Sequence, residues 1–409
     1  MRELKIGTSW VRGVVGEALN PELMVNFACA FGAWAEGKPV VIGRDTRASS
    51  QMLWSAVAAG LMSTGCEVID LGVAPSPMVS FGVRELGAAG GICITGSHND
   101  IRWNALKFVG PDGVLLNAAR SEELLDIYHA SGFQLACWNG LGPISGPYPS
   151  DRSGDLAARY VECVTSSLDV PAIRNRGFRV AIDFCNGACR SAVERTLSEL
   201  GCTLLPLNQE ATGRFAHAPA PGPANMSQLA NFMRCIDADL GAAVNVDGDR
   251  IGFVAAAGAA LSEEYALPLA AASRLPRREG PVVTSFSTSR TVDVVAAKYG
   301  RRVVRTAVGE GYVMDRALQE GACIAGEGSG GVAALPVTVT YDAVLTLGVV
   351  LESLALTGCS LQELVHELPD IHIRKGEIQC APDCTYRALD GFRHRYSGAL
   401  ASLEDGVQA

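Results

Sequence analysis

The sequence predicts an α/β protein built from three similar units that face a common cleft. Three observations lead to this prediction. The chain has 409 residues, which is long enough for several domains of ~100–200 residues each. One pattern occurs three times along it: a strand, a polar turn, a helix, a glycine and a second strand. Each copy is followed by one more short apolar strand that ends in a polar, glycine-containing loop.

The three copies of the pattern occupy residues 39–72, 178–208 and 281–309. Their strands are short apolar runs rich in valine and isoleucine, which is typical of a sheet that helices bury on both faces. Strands that alternate with helices favour α/β units with right-handed crossovers. We therefore expect each copy to form one such unit.

The strand that follows each copy runs into a loop with its own polar residues. These loops are Gly96-Ser97-His98-Asn99, residues 245–250 (NVDGDR) and residues 327–331 (EGSGG). Ligand sites of open α/β sheets lie at the carboxyl ends of strands. Three equivalent loops at matching positions therefore favour a composite site where the units meet. The alternative is that they are three independent surface turns.

Further helices and linkers are expected around these units. Asn20, Pro21 and Glu22 form a helix start with a cap, an N1 proline and an early acid. A second helix pattern covers 121–128, with glutamates in its first turn, and a third covers 340–356. Residues 139–153 and 216–223 are rich in glycine, proline or serine, which predicts a linker and a loop. A last boundary is expected near Pro369.

Composition and charge exclude several classes of protein. The formal net charge is -9 and the pI is about 5.3. This balance argues against general nucleic-acid binding, which needs a basic surface, although one basic pocket suffices for a phosphate compound. No apolar run approaches the ~20 residues of a membrane span, and the first residues lack a secretory signal. We therefore expect a cytoplasmic protein that does not bind membranes.

The cysteines indicate a reducing compartment. Most of the 13 lie inside apolar segments, where buried free thiols are the expected state. Two pairs have CxxxC spacing, Cys185 with Cys189 and Cys380 with Cys384. Neither pair has a nearby histidine or a second cysteine pair, so a zinc site is not expected.

The first loop offers a nucleophile. Ser97 needs a base within reach, and His98 or Lys107 could supply it. No acid is placed to orient His98, so a hydrolase triad is not favoured. The alternative is a serine that only caps a turn.

The second loop offers hard oxygen ligands. Asp247 and Asp249 lie two residues apart, and the amide of Asn245 precedes them by two. Such donors on a tight turn suit Mg²⁺ rather than zinc. The alternative is a solvated Asp-Gly turn, which leaves Arg250 beside a buried strand without an explanation.

The third loop and several arginines complete the set. Glu327 and Ser329, with exposed backbone amides, suit sugar hydroxyls. Arg12 is a candidate for phosphate binding, since the guanidinium fork matches phosphate oxygens. For Arg44, Asp45 and Arg47 a structural ion pair is at least as good an interpretation. Together the loops indicate phosphoryl transfer on a polyhydroxylated substrate.

Four motifs resemble those of the α-D-phosphohexomutases, in the same order. Residues 7–13 (GTSWVRG) are similar to the GTSGxRG of that family, and 95–99 (TGSHN), with Asn104 and Lys107 after it, to its phosphoserine loop. Residues 245–250 resemble its DGDxDR metal loop, and 326–331 its GExSG sugar loop. The resemblance extends from about residue 4 to about residue 370.

This resemblance implies three topologically similar α/β domains with mixed sheets around a central cleft, covering 1–150, 151–255 and 256–368. It also implies a fourth C-terminal α+β domain that grips the non-reacting phosphate through an RxSGTEP-like loop. No such loop occurs in the sequence. Residues 369–409 are therefore expected to be a truncated remnant of that domain.

The resemblance also assigns roles to the site residues. Ser97 would carry a phosphoryl group, pass it to a sugar hydroxyl through a hexose 1,6-bisphosphate intermediate, and take the other phosphate back. That bisphosphate would also serve as the activator. One Mg²⁺ would lie between phospho-Ser97 and the metal loop, and two arginines would hold the serine loop and its phosphate. The residues assigned in this way are Ser97, Asn245, Asp247 and Asp249 for the metal, Arg12 and Arg250 for the phosphate, His98 and Lys107 for proton transfer, and Glu327 and Ser329 for sugar hydroxyls.

Four departures from the family pattern leave two hypotheses. Asn245 replaces an aspartate, which should weaken metal binding, and Gly96 and Asp100 replace an alanine and a proline, which should loosen the serine loop. Ala307 stands where many relatives have a basic residue or histidine. The first hypothesis is a phosphohexomutase, working or impaired, that acts on a sugar phosphate. The second is a non-catalytic relative that binds a phosphosugar or a partner chain. The oligomeric state is not readable from the sequence.

Overall fold

Three β-sheets flanked by helices organise the chain, in a computed structural model that describes residues 4–146, 155–369, 371, 373, 376 and 382–395. The predicted α/β fold with three topologically similar domains is confirmed. The division at residues 150, 255 and 368 separates the three sheets, and we retain it as a proposal. The expected fourth-domain remnant, 369–409, lies outside the described residues except for 369, 371, 373, 376 and one helix.

The first domain contains a seven-stranded sheet. Its order is β1-β2-β6-β5-β3-β4-β7. The elements are β1 (Lys5–Ile6), β2 (Trp10–Val14), α1 (Pro21–Trp34), β3 (Val40–Arg44), α2 (Ala48–Ser63), β4 (Val68–Val73), α3 (Ser76–Glu85), β5 (Gly90–Ile94), β6 (Trp103–Val109), α4 (Ala118–His129) and β7 (Ile144–Ser145).

The second domain contains a four-stranded sheet of order β11-β10-β8-β9. Its elements are α5 (Leu156–Thr165), α6 (Val170–Arg176), β8 (Arg179–Asp183), α7 (Arg190–Glu199), β9 (Thr203–Leu207), a 3₁₀ turn (Pro223–Asn225), α8 (Ser227–Cys235), β10 (Leu240–Val244) and β11 (Ile251–Ala255).

The third domain contains a four-stranded sheet of order β13-β12-β14-β15. Its elements are a 3₁₀ turn (Glu263–Tyr265), α9 (Ala266–Arg274), β12 (Val282–Ser285), α10 (Thr291–Lys298), β13 (Val303–Thr306), α11 (Glu310–Gln319), β14 (Ile324–Glu327), β15 (Gly331–Ala334), α12 (Ala343–Thr357) and α13 (Leu361–His366). The later helix α14 (Pro382–Arg395) follows the part of the chain that is not described.

The three sheets share one arrangement. In each domain the first strand of the repeat pairs in parallel with the second and the third, and the third pairs antiparallel with a fourth. The sheets are therefore mixed, as expected. The turn between the third and fourth strands carries the polar loop each time, so that the serine, carboxylate and sugar loops occupy equivalent positions.

The helix starts follow local capping chemistry. Asn20 accepts the backbone N–H of Leu23 at 2.9 Å and Pro21 opens α1, as predicted. The prediction that the helix pattern at 121–128 begins at residue 121 is wrong. It begins at Ala118, because Asn117 accepts the N–H of Arg120 at 3.1 Å, while the Ser121 hydroxyl contacts the carbonyl of Thr8.

Contacts between distant residues correct two further expectations, the start of the helix at 340–356 and the linker at 139–153. The predicted helix 340–356 begins at Ala343, because the Thr340 hydroxyl and the Tyr341 N–H both bind a carboxylate oxygen of Glu310. The predicted linker 139–153 includes the short strand β7, which pairs in parallel with β4; its part 147–153 lies outside the described residues.

Apolar side chains from all three domains form one buried cluster. It includes Val79 of domain 1, Tyr160 of domain 2 and Leu347 of domain 3. The Tyr160 hydroxyl donates to the Asp342 carboxylate at 2.9 Å, so a buried polar contact also joins domains 2 and 3. The polar loops are therefore held against one another by a shared core.

The predictions for cysteines and membrane spans can be compared with the described residues. Every cysteine there is a free thiol, and Cys185 and Cys189 are buried; Cys380 lies outside this part of the chain. Burial raises the pKa of the Cys185 thiol to about 12. No described helix combines the length and the apolarity that crossing a bilayer requires.

Candidate active site

A cleft of about 350 Å³ opens where the three polar loops meet. Residues from all three domains line it. The charged and polar lining residues on which the chemistry below depends include Arg12, Ser97, His98, Lys107, Asp249, Arg250, Glu310, Glu327 and Tyr341. The composite site that the three loops predict is therefore present in the structure, in contrast to the alternative of independent surface turns.

Ser97 stands in a strained backbone conformation that Arg47 holds in place. Its φ is 47°, in the left-handed region that a non-glycine residue seldom adopts. The Arg47 guanidinium donates to the carbonyl oxygens of Ser97 at 2.9 Å, Asn99 at 2.7 Å and Trp103 at 3.0 Å, and also to that of Asp100. One side chain therefore determines the path of the whole serine loop.

Arg47 is itself held by a buried carboxylate at the end of β3. Its Nε donates to Asp45 at 2.9 Å, and both side chains are fully buried. Asp45 also accepts the hydroxyls of Thr95 at 2.8 Å and Ser50 at 2.5 Å. The structural interpretation of this ion pair is confirmed, and the pair positions the nucleophile loop without reaching the cleft.

Gly96 does not loosen the serine loop as the sequence led us to expect. A Cβ at this position would meet the guanidinium carbon of Arg47 and the carbonyl of Trp103, both at 2.7 Å. The glycine therefore leaves the space that Arg47 occupies. Asp100, the second residue that was expected to loosen the loop, lies in a local turn, because its carboxylate accepts the backbone N–H of Arg102 at 2.9 Å.

The Ser97 hydroxyl faces the carboxylate loop of domain 2. Its Oγ lies 3.4 Å from both carboxylate oxygens of Asp249 and 3.1 Å from Nδ2 of Asn245. The loop turns sharply at Gly248, whose φ is 69°, and a Cβ there would approach Sγ of Cys189 to 2.1 Å. Glycine permits this turn, which brings Asp249 to the serine and Asp247 to Lys107 and Ser76.

Lys107 crosses from domain 1 to the same two carboxylates. Its Nζ lies 2.7 Å from Oδ2 of Asp247 and 2.6 Å from Oδ2 of Asp249, and its side chain is only 11% exposed. Burial opposes the charge, but the two carboxylates and Glu310 raise the pKa of Lys107 well above its ordinary value. Lys107 is therefore an ammonium group in the resting site. In turn, Lys107 and Arg250 outweigh burial and lower the pKa of Asp249.

The donor set fits a hard divalent cation only in part. The Asp247 and Asp249 carboxylates are buried oxygen donors of the kind Mg²⁺ prefers. The Asn245 oxygen instead accepts the backbone N–H of Arg250 at 3.1 Å, and its nitrogen faces Asp247 Oδ1 at 2.9 Å and Asp249 Oδ1 at 2.5 Å. Because an N–H must face an oxygen, this amide orientation is fixed. The ligand role predicted for Asn245 stays a prediction, and the orientation argues against it.

The candidate phosphate-binding and proton-transfer residues lie beside Ser97. Arg12 donates to the Asn99 side chain at 2.9 Å and stacks on the Trp10 ring, while Arg250 lies 3.8 Å from Asp249. Arg250 and burial lower the pKa of His98 to about 3. His98 is therefore a neutral ring at pH 7, and its buried Nδ1 has no hydrogen-bond partner in the described protein. Arg12, Lys107 and Arg250 together form a cationic wall of the cleft, with the neutral His98 ring beside them.

The sugar loop contributes one of its two predicted residues to the cleft. Glu327 lines it, and its Oε1 accepts the Gly309 N–H at 3.0 Å. Ser329 is not among the lining residues, and its buried Oγ has no hydrogen-bond partner in the described protein. The loop is packed closely, since a Cβ on Gly328 would approach the Glu264 carboxylate to 2.1 Å. Ala307 does not line the cleft either.

Among the residues of the cleft that sequence reasoning missed are a glutamate and a buried tyrosine. Glu310 opens α11, and burial raises the pKa of its carboxyl to about 7. Tyr341 is buried just before α12 and also lines the cleft. Neither lies in one of the three loops. The signal that could have found Glu310 is its position at a helix start, just after Gly309 and the short loop that follows β13, where a helix N-terminus can face a ligand site.

Comparison with known proteins agrees with this geometry. Sequence profiles of phosphoglucomutase/phosphomannomutase α/β/α domains I, II and III match residues 3–135, 158–258 and 248–371. A phosphoglucomutase/phosphomannomutase of Thermococcus kodakarensis is 34% identical over 406 residues, covering 98% of this chain and 86% of the relative. A phosphoglucosamine/phosphogalactosamine mutase of Sulfurisphaera tokodaii is 29% identical, covering 92% and 83%.

The fold agrees as well. The crystal structure of a phosphoglucomutase/phosphomannomutase family protein from Burkholderia thailandensis superposes with a TM-score of 0.77 at 26% identity. The match covers 89% of this chain and 79% of that chain.

Proposed function

Because the chain belongs to the phosphoglucomutase/phosphomannomutase family, whose members are isomerases, we propose that it moves a phosphoryl group between the C1 and C6 hydroxyls of a hexose phosphate. The single observation that supports this proposal most strongly is the approach of Ser97 Oγ to Asp249 and Asn245, at 3.4 and 3.1 Å. A strained, buried serine from one domain there meets a carboxylate loop from the next.

The reaction has two transfers that mirror each other. In the first, the bond between phosphorus and Ser97 Oγ breaks as a bond from a sugar hydroxyl oxygen to phosphorus forms. That hydroxyl gives up its proton, and Ser97 Oγ, the leaving oxygen, takes one up. The bound product is a hexose bisphosphate, which turns over in the cleft. In the second transfer the bond between its other phosphorus and the sugar oxygen breaks as Ser97 Oγ bonds to that phosphorus; the serine hydroxyl gives up its proton and the vacated sugar oxygen takes one up. Such transfers depend on positioning and charge stabilisation.

The cationic wall of the cleft supplies both the positioning and the charge stabilisation that these transfers need. Arg12 and Arg250 are suited to the oxygens of the transferring group, since a guanidinium can bind two of them at once. The Lys107 ammonium is a hydrogen-bond donor and a source of positive charge in the cleft, and it can take part in proton transfer once its pairing with the two aspartates changes. His98 lines the cleft as a neutral ring, and it is the proposed partner for proton transfer with a sugar hydroxyl. Glu327 is placed to orient another hydroxyl.

Mg²⁺, which this family generally uses, would be held by Asp247, Asp249 and an oxygen of phosphorylated Ser97, and would neutralise the charge of the phosphoryl group. We propose one ion per chain. A hexose 1,6-bisphosphate would act as the activator, because it can phosphorylate Ser97 by the second transfer. The sugar is a hexose or hexosamine, in accordance with the names of the relatives.

The test is the phosphorylation state of Ser97 together with turnover. The purified chain is incubated with Mg²⁺ and glucose 1,6-bisphosphate, and its intact mass and phosphopeptides are measured. Conversion of glucose 1-phosphate, mannose 1-phosphate and glucosamine 1-phosphate is then assayed. We expect one added phosphoryl group on Ser97 and conversion of at least one sugar.

Two serine variants make the test specific. Ser97→Ala removes the acceptor and should abolish both phosphorylation and turnover. Ser55→Ala, at an exposed position of α2, is the matched control and should retain both. Turnover that survives in Ser97→Ala contradicts the proposal. Binding of a sugar phosphate without any phosphorylation would instead favour the non-catalytic hypothesis.

A further inference from the structure

The carboxylates of the proposed metal loop already have a cation between domains 1 and 2. Lys107 Nζ lies within 2.7 Å of Asp247 and 2.6 Å of Asp249, and the three side chains are 11%, 1% and 6% exposed. The Ser76 hydroxyl donates to the same Oδ2 of Asp247 at 2.9 Å. A divalent cation that binds these oxygens must therefore displace the ammonium of the protein's own lysine.

Asn245 adds donors where a metal needs acceptors. Its oxygen is occupied by the N–H of Arg250, at 3.1 Å. Its NH₂ group points into the space between Ser97 Oγ at 3.1 Å, Asp247 Oδ1 at 2.9 Å and Asp249 Oδ1 at 2.5 Å. Reversing the amide would direct its nitrogen at the backbone N–H of Arg250 and leave a buried donor without an acceptor, which is unfavourable.

The net charge of the site also disfavours a divalent cation before Ser97 is phosphorylated. With Asn245, the two aspartates and Lys107 sum to one negative charge, whereas an aspartate at position 245 would bring the sum to two. A phosphoryl group on Ser97 adds about -1.5 to -2 more. The unphosphorylated site therefore has little excess negative charge for a divalent cation, and phosphorylation would restore it.

We propose that in the unphosphorylated chain Lys107 and Asn245 take the place of the divalent cation, so that the ion binds tightly only when Ser97 carries a phosphoryl group. Asn245 is then a positioning residue that donates a hydrogen bond to the Ser97 hydroxyl, rather than a metal ligand. This inference rests on the proposed function, because it assumes that Ser97 is the phosphoryl carrier.

The experiment measures Mn²⁺ binding directly, by isothermal titration calorimetry and by the loss of free Mn²⁺ signal in electron paramagnetic resonance, without any sugar. The probe is Mn²⁺ alone, added to phosphatase-treated protein. We expect weak binding to the parent chain and at least tenfold tighter binding to Asn245→Asp. Phosphorylation of the parent chain should also tighten binding at least tenfold.

A matched control separates a local effect from general charge. Asn99→Asp adds the same charge to the cleft, but next to Arg12 rather than between the two aspartates, and should change the affinity less than threefold. The near-ultraviolet circular dichroism of each variant establishes that it is folded. Tight binding to the unphosphorylated parent chain, or equal affinities of the parent chain and Asn245→Asp, would overturn the inference.

Failure of this inference can be distinguished from failure of the proposed function. A chain without mutase activity can still show the difference between the parent and Asn245→Asp. Conversely, a fully active mutase that binds Mn²⁺ tightly before phosphorylation would contradict this inference alone.

Discussion

The guanidinium of Arg47 donates a hydrogen bond to the carbonyl oxygen of Ser97 at 2.9 Å, although the two residues are 50 positions apart. Arg47 does not line the cleft, yet its contacts with three further carbonyls make the serine loop a rigid unit. The strain of a serine at φ 47° is offset by these buried, charge-assisted bonds.

Arg47→Lys should therefore disorder the serine loop. A lysine can retain the ion pair with Asp45, but it has no planar fork with which to reach four carbonyls, so we expect a loss of roughly 2–4 kcal/mol in unfolding free energy. Urea unfolding measures the stability, and the rate of Ser97 phosphorylation should fall with it. Arg102→Lys, in an exposed pair with Asp100, is the control and should change little. An unaltered phosphorylation rate in Arg47→Lys would contradict this account.

Gly96→Ala introduces the residue that is usual in the family, and it should be unfavourable in this chain. The new Cβ would lie 2.7 Å from both the Arg47 guanidinium and the Trp103 carbonyl, so one of them must move. We expect a cost of about 1–3 kcal/mol, the typical range for overpacking. Gly132→Ala is the control, since its Cβ would have no neighbour closer than 3.6 Å. Thermal unfolding compares the two; equal stabilities would show that the loop accommodates the methyl group.

Glu310 should make sugar-phosphate binding depend on pH. Burial raises the pKa of its carboxyl to about 7, so the group is largely neutral below that pH and negative above it. A negative group in the cleft repels the substrate phosphate, and KM should rise between about pH 6 and about pH 8. In Glu310→Gln this rise should be smaller, while exposed Glu122→Gln should retain it. Parallel pH profiles of parent and Glu310→Gln would rule out this role.

The Glu310 carboxyl should also make the stability of the fold depend on pH. Because its pKa in the folded chain lies above the ordinary value of 4.5, the unfolded chain is the more readily ionised state. The group therefore destabilises the fold progressively as pH rises from about 4.5 through about 7, and this contribution is absent below that range. We expect Glu310→Gln to raise the melting temperature at about pH 8 more than at about pH 5. A uniform shift at both pH values would not fit this mechanism.

Tyr160→Phe tests the buried contact between domains 2 and 3. The hydroxyl donates to Asp342 at 2.9 Å, and Asp342 caps α12 by accepting the N–H groups of Val344 and Leu345. Removing one donor from a buried carboxylate should cost about 1–3 kcal/mol. Tyr299→Phe, at a partly exposed position after α10, should be nearly neutral.

The pH dependence of that loss distinguishes the carboxylate contact from packing. Burial raises the pKa of Asp342 to about 6, and the Tyr160 hydroxyl lowers it by bonding the ionised form. Without the hydroxyl the pKa rises further, so the variant should lose more stability at about pH 8 than at about pH 5. A loss that is equal at both pH values would indicate packing alone.

Local patterns were sufficient for the fold and for most of the cleft. The strand runs, the glycines that separate them and the caps such as Asn20 act over a few residues, so the three units could be predicted without a structure. The serine, carboxylate and sugar loops could be equated because each follows the third strand of its unit. The start of α4 was misplaced because Asn117 caps it, while the Ser121 hydroxyl donates to the carbonyl of Thr8, which is remote in sequence.

The amino-acid sequence was enough to show which reactive groups the chain carries: a serine, two aspartates, arginines and a lysine, most of them in or near loops that recur with the α/β units. How these groups are used depends on the packing of the domains. Lys107 pairs with Asp247 and Asp249, Arg47 holds the Ser97 loop, and the Asn245 amide donates to Ser97 Oγ. Hydrogen-bond direction and charge pairing follow from which groups the packed domains bring within about 3 Å of each other, and these partners lie 50 to 148 positions apart along the chain.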